Sequence, residues 1–408
     1  MGLGKIIFFL VLAGVAMLSW GGCSGGCPTS SLASSGSSSG PTGGVTTGGS
    51  VCGAGSTTTG GGNSAALVYY LGSSNILAAS LSTTASFAPI TTVTPPSLPS
   101  SSTDNMLIVN KKFLYVPMGD STVQAFTINR TSGALTPIAG SPFSAPGGAD
   151  TAVTDPAGRF LFVGGEVIGE IAVFQIDANT GVLTPSPGSP FTSFNLISAD
   201  SMAVDGKGKF LYVGQLSSTN PVAAFSIDQN NGSIAEIIGS PFPLGIATVH
   251  ADPSGKFLLG VAGILDNGNP IQDHHVYVFS IDATTGAPSA AAGSPFLTTS
   301  APFEFAIHPS GKFVYTFGED NTGVVGAVEG FQIDTTTGAL TALPGSPFTT
   351  LPFVSDCQFD QGGGEAFCID VIFGSKFSVL TTNATTGALT HTVQDLSVSN
   401  NFPFAVTD

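Results

Sequence analysis

The sequence predicts an all-β protein: a seven-bladed β-propeller of four-stranded antiparallel blades, closed by the C-terminal strand. The first observation is a repeat of about fifty residues, marked by "GSPF" beginning at residues 140, 188, 239, 293 and 345. The second is the phrase "HPSGKFVY" at 308–315, with the relatives "DPSGKFLL" at 252, "DGKGKFLY" at 205 and "DPAGRFLF" at 155. The third is the lack of a convincing 3.6-residue apolar period, which predicts few helices.

Each repeat contains the signals of four strands. The first precedes the Asp-Pro turn, the second is the "KFLYV" run, the third is Phe-x-Ile-Asp, and the fourth runs from "GALT" towards "GSPF". Asp-Pro-Ser-Gly has the residues of a type I turn, because Pro sets φ at its second position and Gly ends it. The Pro of "GSPF" has no amide hydrogen, so it suits an outer edge strand, and the following Phe can pack between neighbouring sheets.

Seven blades follow from counting the repeats. Six units begin near residues 103, 148, 198, 246, 301 and 354. Residues 65–99 hold strands like the second to fourth of a blade, such as "ALVYYLG" and "ILAASLS", and the C-terminal "FPFAVTD" matches the first strand "DTAVTD" at 150–155. Because four-stranded units of this length stack radially, we expect the two ends of the chain to combine into a seventh blade.

The N-terminal residues have the pattern of an export signal. Lys5 precedes an apolar run from Ile6 to Trp20, and small residues precede Cys23, which resembles a bacterial lipoprotein cleavage site with lipidation of Cys23. The predicted parts are a lipoprotein-type signal peptide over 1–22, a Gly/Ser/Thr-rich tether over 23–64 and the propeller over 65–408. Trp20 stands where such signals usually have Leu, so ordinary signal cleavage is the alternative. We therefore expect an exported protein that is either anchored at the cell envelope through Cys23 or secreted.

Charge excludes two classes of partner. Ten Lys and Arg face 26 Asp and Glu, a formal net charge of −16. Nucleic acid and an anionic membrane surface carry the same sign and would be repelled. The expected partner is an unidentified glycan, peptide or envelope protein, with membrane contact only through the lipid anchor, and the protein is expected to be a monomer.

Two cysteines fall in the predicted propeller, in "CQFDQGGGEAFC" at 357–368. A two-residue turn at Gly362 and Gly363 would place Cys357 and Cys368 directly opposite each other on an antiparallel hairpin, within disulfide reach. Export to an oxidising compartment permits the bond. Two buried thiols are the alternative.

The repeated "DPSGKFLYV…FSID…TGALT…GSPF" resembles the lactonase family of seven-bladed β-propellers and is similar to YVTN-type surface propellers. The named activity of that family is 6-phosphogluconolactonase. The likeness covers roughly residues 65–408 and implies the fold. It implies an activity only weakly, because propellers host unrelated functions.

The two faces of the disc differ in sequence. Turns between the first and second strands lie on one face, the constant face, and carry the uniform Asp-Pro-Ser-Gly turns. The opposite, variable face carries the loops from the second to the third strand and from the fourth strand to the next blade, including "GILDNGNPIQDHH" at 263–275 and "GEDNTGVVGA" at 318–327. Variation concentrated on one face usually marks the working surface of a repeat protein.

Counting back from each turn places polar residues of the first strands at the channel mouth on the variable face. These are Asp150 and Asp200 five positions before the turn, Thr151, Ser201, Thr248, Glu304 and Asp356 four before it, and His250 deeper. Carboxylates suit a divalent cation such as calcium, or a polyol, and His can act as a base. Glu304, Asp356 and His250 are the candidate catalytic residues, and Asp150 and Asp200 are candidate ligand-binding residues. Solvated side chains around a wet channel are the alternative, and no cofactor signature is evident.

The resemblance also implies a basic pair at these positions, since enzymes of the family carry Arg and His in a Pro-Arg-His pattern. Here the corresponding stretches are "GGADT" at 147–151 and "APFEF" at 301–305, with Phe303 and Glu304 in place of the basic pair. Arg130 and Arg159 lie in turns. A phosphorylated sugar lactone would lack charge-assisted contacts, which argues against the family's named activity.

The 263–275 loop supplies further candidate ligand-binding residues, Asp266, His274 and His275. Neighbouring side chains on an extended chain point in opposite directions, so the two histidines are not expected to share a metal ion. His308 replaces the turn Asp of the other repeats and is expected to be exposed.

Two functions from different classes remain. The first is a binding scaffold of the cell envelope that uses the variable face. The second is a lactone or ester hydrolase with an acidic site at the channel mouth.

Overall fold

The computed structural model describes residues 66–72, 75–81, 87–90, 105–165, 169–217, 219, 221–262, 265–266, 269–270, 273–319, 326–348, 354–370, 376–391, 396–397 and 403–407. The predicted signal peptide, Cys23 and the tether lie outside these residues. The described part contains strands and turns and no helix. It accordingly has no helical segment long and apolar enough to cross a membrane.

The strands follow one another along the chain as seven blades. The N-terminal strands are β1 Leu67–Leu71, β2 Ile76–Leu81 and β3 Phe87–Pro89. Blade 1 contains β4 Leu107–Val109, β5 Phe113–Met118, β6 Thr122–Ile128, β7 Leu135–Pro137 and β8 Phe143–Ser144. Blade 2 contains β9 Thr151–Thr154, β10 Phe160–Gly164, β11 Glu170–Ile176, β12 Leu183–Pro185 and β13 Phe191–Thr192. Blade 3 contains β14 Ser201–Val204, β15 Phe210–Gly214, β16 Val222–Ile227 and β17 Ile234–Glu236.

The remaining blades carry the larger loops. Blade 4 contains β18 Thr248–Ala251, β19 Phe257–Val261, the small hairpin of β20 Leu265–Asp266 and β21 Asn269–Pro270, then β22 His275–Ile281, β23 Pro288–Ala290 and β24 Phe296–Leu297. Blade 5 contains β25 Ala301–Ile307, β26 Phe313–Glu319, β27 Gly326–Ile333 and β28 Leu340–Ala342. Blade 6 contains β29 Asp356–Phe359, β30 Glu365–Asp370, β31 Lys376–Thr382, β32 Leu389–His391 and β33 Leu396–Ser397. The last strand is β34 Phe404–Thr407.

The ring closes between the two ends of the chain, as the sequence predicts. β34 pairs antiparallel with β1, with Val68 opposite Val406 and Tyr70 opposite Phe404. The resulting sheet has the order β3-β2-β1-β34, so the C-terminal strand is the innermost strand of blade 7. Every blade is an antiparallel meander, and the protein is a seven-bladed β-propeller.

The hydrophobic core is divided into layers between the blades. The buried apolar side chains of the described residues form seven clusters, one between each pair of neighbouring blades. Both faces of a blade are therefore buried, which explains why second strands such as β10 and β15 are buried along their whole length. Among the described residues no blade leaves a whole sheet face exposed, and the stability of the ring rests on contacts between blades.

The fourth strand of most blades is divided into two short segments. In blade 1, β7 and β8 pair with β6 separately, and the "GSPF" turn lies between them. The serine of this turn takes over a backbone contact, since Ser141 Oγ accepts a hydrogen bond from Ala125 N at 2.9 Å. Ser294 does the same for Val278 N at 2.9 Å. The repeated Ser-Pro thus satisfies an amide of the third strand where the fourth strand is interrupted.

Neighbouring blades are joined at a glycine of the third-to-fourth turn. Gly286 has φ +75, and a Cβ there would lie 2.4 Å from a ring carbon of Phe210 in the preceding blade. Tyr212 Oη donates a hydrogen bond to the carbonyl oxygen of this glycine at 2.8 Å. Burial raises the pKa of the Tyr212 hydroxyl. The glycine of "TTG" in one blade therefore contacts the Phe and Tyr of "KFLY" in the preceding blade, which explains why the two phrases recur together.

Tyr212→Phe is expected to lower the free energy of unfolding by about 1–1.5 kcal/mol, because it leaves the buried Gly286 carbonyl without its side-chain donor. Tyr70→Phe is the control, since the Tyr70 hydroxyl makes no hydrogen bond to the described residues and the change should be near neutral. Urea unfolding followed by circular dichroism measures both. Equal losses in the two variants would show that the hydrogen bond contributes nothing.

His308 is buried, so the prediction that it is exposed is wrong. Its side chain is 3% exposed and lies against the rings of Phe313 and Phe359. Nε2 donates to the Gly363 carbonyl of blade 6 at 2.8 Å, and Nδ1 is 2.7 Å from Ser310 Oγ. The turns of neighbouring blades contact each other closely, which a single repeat read in isolation does not reveal.

Cys357 and Cys368 form a disulfide across the first hairpin of blade 6. They are directly opposite each other in the pairing of β29 with β30. The connection is longer than a two-residue turn: Asp360 and Glu365 pair around residues 361–364, and Gly363 N donates to the Asp360 carbonyl at 2.9 Å. The observed four-residue connection and the predicted two-residue turn are both centred between Gly362 and Gly363. Cys357 is therefore opposite Cys368 in either case.

Candidate functional site at the channel mouth

The strand register defines one equivalent residue at the start of each first strand. We call these residues the mouth ring. They are Asn105, Thr151, Ser201, Thr248, Glu304, Asp356 and Pro403. Asn105 was missed by sequence reasoning, because the first turn of blade 1 is shorter and shifts the count. The pairing of Phe113 with Val109 is the feature that would have corrected it.

Several members of the mouth ring link one blade to the next. Asn105 Nδ2 donates to the Ala152 carbonyl at 2.7 Å, and its Oδ1 accepts from Ala152 N at 3.0 Å. Ser201 Oγ accepts from Val249 N at 3.1 Å. Thr248 Oγ1 donates to the Phe303 carbonyl at 3.4 Å. This half of the ring is therefore used for inter-blade hydrogen bonds.

The other half brings together the three candidate catalytic residues. His250 Nε2 of β18 is 3.1 Å from Glu304 Oε1 of β25, and Asp356 of β29 lies near enough to act on the imidazole electrostatically. The same Glu304 oxygen accepts from its neighbour's amide, Phe305 N, at 2.9 Å. The Phe305 ring meets the imidazole edge-on at 4.6 Å between centroids. Three consecutive first strands thus supply one imidazole and two carboxylates.

A β-bulge positions Glu304. The register of β25 with β26 shifts between Pro302 and Glu304, so one extra residue precedes the carboxylate. Bulges of this kind redirect side chains and are frequent beside functional sites. The carboxylate remains accessible, with 28% of the Glu304 side chain and 43% of the His250 side chain exposed. A small solute in the channel can therefore reach both groups.

The pKa of His250 is raised above its ordinary value. Burial acts to lower this pKa, but the hydrogen bond to Glu304 and the charges of Glu304 and Asp356 outweigh it. The imidazolium is thus held between carboxylates at neutral pH more readily than in an isolated histidine. The group can donate a proton when charged and accept one when neutral.

The pKa shift predicts a pH-dependent stability. A group whose pKa is higher in the folded state stabilises that state fully below its unfolded pKa, about 6.5, and the contribution is lost as pH rises through the folded pKa. The stability advantage of the wild type over His250→Gln should therefore be larger at pH 5.5 than at pH 8.5. Urea unfolding at both pH values measures it.

Glu304→Gln is the control for this prediction. It removes the partner charge while burial of the imidazole remains, so the pKa of His250 should fall, which an NMR titration of its ring protons reads directly. An advantage of the wild type that grows with pH would contradict the assigned contact.

Asp150 and Asp200 are placed differently from the carboxylates of blades 5 and 6. Asp150 is 7% exposed. Asp200 accepts hydrogen bonds from the Ser198 hydroxyl and from Leu216 N, the latter at 2.7 Å. Asp200 therefore holds the loops on both sides of its own blade together. No three His, Cys, Asp or Glu side chains of the described residues are arranged to hold a metal ion, so the structure provides no support there for the calcium site considered above.

The loop candidates of blade 4 form a separate group. His275 Nδ1 is 2.6 Å from Asp273 Oδ1, and Tyr277 Oη donates to Asp273 Oδ2 at 2.9 Å. Burial and the Asp273 carboxylate raise the pKa of Tyr277 to about 12. His274 contributes its carbonyl to Thr298 N at 2.8 Å, and the side chain of Asp266 lies outside the described residues. Asp273 and Tyr277 were missed, although the alternation Asp-x-His-x-Tyr could have indicated them.

A buried carboxylate beside the mouth was also missed. Glu329 of β27 is 3% exposed. It accepts hydrogen bonds from Thr299 N at 3.0 Å, Ser300 N at 2.9 Å and Ser300 Oγ at 2.7 Å. These residues lead directly into β25, so Glu329 holds the segment that carries Glu304.

The charges divide between the faces. The Lys and Arg residues in turns of the constant face are Lys111, Lys112, Arg130, Arg159, Lys207, Lys209, Lys256 and Lys312. At the variable-face ends of the strands, the described residues include one cation, Lys376, which begins β31. The acidic residues on that side are Asp120, Asp150, Glu170, Asp200, Glu236, Asp266, Asp273, Glu304, Glu319, Asp356 and Asp370. The variable face is therefore strongly acidic, and the constant face carries both signs.

These features define a seven-bladed β-propeller with an acidic variable face and an imidazole–carboxylate contact at the channel mouth. Its sequence matches the family profile "Lactonase, 7-bladed beta-propeller" over residues 109–243, from the end of β4 into blade 3. The protein is thus a lactonase-like propeller.

Solved structures share this fold at low sequence identity. A candidate 6-phosphogluconolactonase from Bacteroides uniformis has a TM-score of 0.61 and 16% identity, with 84% of this chain and 99% of that chain covered. The periplasmic gluconolactonase of Pseudomonas aeruginosa has a TM-score of 0.59 and 16% identity, with 84% and 98% covered. No curated protein matches the sequence. At these identities the likeness establishes the fold alone.

Proposed function

We propose that this lactonase-like propeller is an exported envelope protein, anchored through Cys23, that binds a partner with its variable face. The observation that carries the proposal is the division of charge: one described cation stands at the variable-face strand ends, against the acidic residues named above. A face of one sign attracts oppositely charged ligands and repels others. The Gly/Ser/Thr composition of residues 24–64 suits a flexible tether that would let the propeller reach a partner.

Site-specific photocrosslinking on the full chain in its own cells tests the binding face. A photoreactive residue replaces Leu297 on the variable face, and the matched control replaces the exposed Thr284 in a turn of the constant face. Crosslinked products are expected from position 297 and not from position 284. Products from the constant face alone would overturn the proposal.

Export and anchoring are tested separately by labelling with a radioactive fatty acid. The wild type should carry the label and fractionate with membranes, whereas Cys23→Ser should lose both properties. Release of the wild type as an unlabelled soluble protein would reject the anchor and leave the binding proposal untouched.

A second candidate function is a lactone or ester hydrolase, which the His250–Glu304 contact favours. In this role the neutral imidazole would remove a proton from a water molecule that attacks the carbonyl carbon, and the protonated imidazole would return the proton to the leaving alkoxide. Glu304 would orient the ring and stabilise the imidazolium. The structural neighbours named as gluconolactonases make a sugar lactone the substrate to try first.

Base uptake in a pH-stat measures this activity on a panel of sugar lactones. For a hydrolase, turnover should fall at least about a hundredfold in His250→Gln, the effect of removing a general base, and substantially in Glu304→Gln. Tyr212→Phe, which changes a blade interface far from the mouth, is the control and should keep full turnover. Turnover that is the same in wild type and His250→Gln would remove the hydrolase from consideration.

A further inference from the structure

A fully exposed aromatic side chain stands at the junction of blades 2 and 3. Phe194 is 107% exposed, and Ile238, two residues beyond the strand residue Glu236 that bonds both neighbours of Phe194, is 98% exposed. Ile197, in the same loop as Phe194, is 50% exposed. We call these three residues the rim patch. Apolar side chains of this size are rarely left in water together on a soluble protein unless they meet a partner.

The loop that presents Phe194 is held by hydrogen bonds on both sides. Ser193 Oγ donates to Glu236 Oε2 at 3.1 Å, and Asn195 Nδ2 donates to Glu236 Oε1 at 3.0 Å. Ser193 N also donates to the Gly169 carbonyl at 2.8 Å. Since both neighbours of Phe194 are tied to β17 and the next chain segment is anchored by the buried Leu196, the aromatic ring is held outward. Because the loop is already ordered, binding a ligand over Phe194 costs little conformational entropy of the loop.

Glu236 also connects the loop to the rest of the patch. It bonds both neighbours of Phe194, and Ile238 follows it by two residues, in the turn after β17. Glu170 lies at the opposite border, because it pairs with Thr192, two residues before Phe194. The rim patch therefore combines exposed apolar groups with carboxylates at its edge.

The negative charge around the rim patch favours some binding partners over others. An anionic lipid surface would meet an acidic face and be repelled. A second copy docked through the same patch would bring two acidic faces together, because a two-fold contact is isologous. A basic peptide segment that carries apolar side chains beside Lys or Arg satisfies both the apolar groups and the carboxylates.

We propose that the rim patch is a docking surface for a basic amphipathic peptide segment of a partner protein, with Phe194 as the central contact. This rests on the proposed binding function and names the chemistry of its partner. The apolar side chains of the segment cover Phe194, Ile197 and Ile238. Its Lys or Arg side chains approach Glu170 and the acidic channel mouth beyond.

Fluorescence anisotropy with two synthetic peptides on the full chain tests the proposal. The first probe is an amphipathic helix of Leu and Lys, and the second has the same lysines with every Leu replaced by Ser. The wild type should bind the Leu/Lys peptide more tightly than the Ser/Lys peptide. Phe194→Ala should weaken binding of the Leu/Lys peptide about tenfold or more, as is typical of a central aromatic contact.

Thr284→Ala is the control, because Thr284 is exposed in a turn of the constant face, on the side of the disc away from the rim patch. It should keep wild-type affinity. Equal affinity of Phe194→Ala and wild type for the Leu/Lys peptide would overturn the rim patch. Equal affinity of the wild type for the two peptides would also reject the rim patch, because it would mean that the lysine charges alone drive binding. The proposed binding function of the variable face would then still stand. Absence of crosslinks from position 297 would count against that function instead.

Discussion

Removing residues 403–408 is expected to abolish cooperative folding of the propeller. The deletion takes away β34, which forms the ladder with β1 and buries Phe404 and Ala405 completely. Phe404 also meets the Phe377 ring edge-on at 5.0 Å, and its carbonyl accepts from Gln358 Nε2 at 2.9 Å. Burial of a Phe side chain contributes about 1.5–3 kcal/mol, and each lost hydrogen bond about 0.5–1.5 kcal/mol.

The summed loss of roughly 5 kcal/mol or more is comparable with the whole stability of a typical domain, about 5–15 kcal/mol. The deletion also leaves the inner edge of β1 unpaired, which invites aggregation. Urea unfolding by circular dichroism, together with size-exclusion chromatography, should show a broad low-midpoint transition and aggregated material. A peptide of residues 398–408 added in trans should restore part of the stability, and Phe404→Leu should give a much smaller loss than the deletion. An unchanged unfolding midpoint in the deletion would refute the closure by β34.

The second large effect is expected from Glu329→Ala. The change leaves two buried groups, the amide and the hydroxyl of Ser300, without their acceptor, together with the partly buried Thr299 N. Each unsatisfied buried group costs about 1–3 kcal/mol, so the free energy of unfolding should fall by at least about 2 kcal/mol. Chemical denaturation monitored by circular dichroism measures the loss.

Glu236→Ala is the matched control for Glu329→Ala. Glu236 likewise bonds a loop at the junction of two blades, but its partners are side chains at a more solvent-accessible rim. Water can replace that acceptor, so the expected loss is under about 1 kcal/mol. Similar losses in both variants would mean that burial of Glu329 does not set its contribution.

The blade count and the closure were predictable because they are properties of the repeat. "GSPF" and the Asp-Pro-Ser-Gly turns recur at the same interval, and the N-terminal strands lack the first strand that "FPFAVTD" supplies. The register of Cys357 with Cys368 was predictable for the same reason, since a hairpin fixes which residues are opposite each other. Each of these features depends on local sequence alone.

The candidate site was predictable in part. Counting back from the turns identified Glu304, Asp356 and His250 as neighbours at the channel mouth, because equivalent strands in a propeller place equivalent residues at the same depth. The count failed for Asn105, where the turn is shorter. It also could not show that Ser201 and Thr248 hydrogen-bond to the next blade, since such contacts depend on the offset between adjacent first strands.

The sequence by itself determined the all-β class, the seven blades and the acidic charge of the chain, because periodicity, turn residues and composition are local quantities. Tertiary structure alone decided that His308 is buried against blade 6, that Glu329 holds the segment before β25, and that Phe194 is held outward by Glu236. The first and third are contacts between residues of different blades, and the second joins a blade to the segment that leads into it. Their geometry depends on how far each blade is rotated and displaced relative to the next, and no single repeat encodes that displacement.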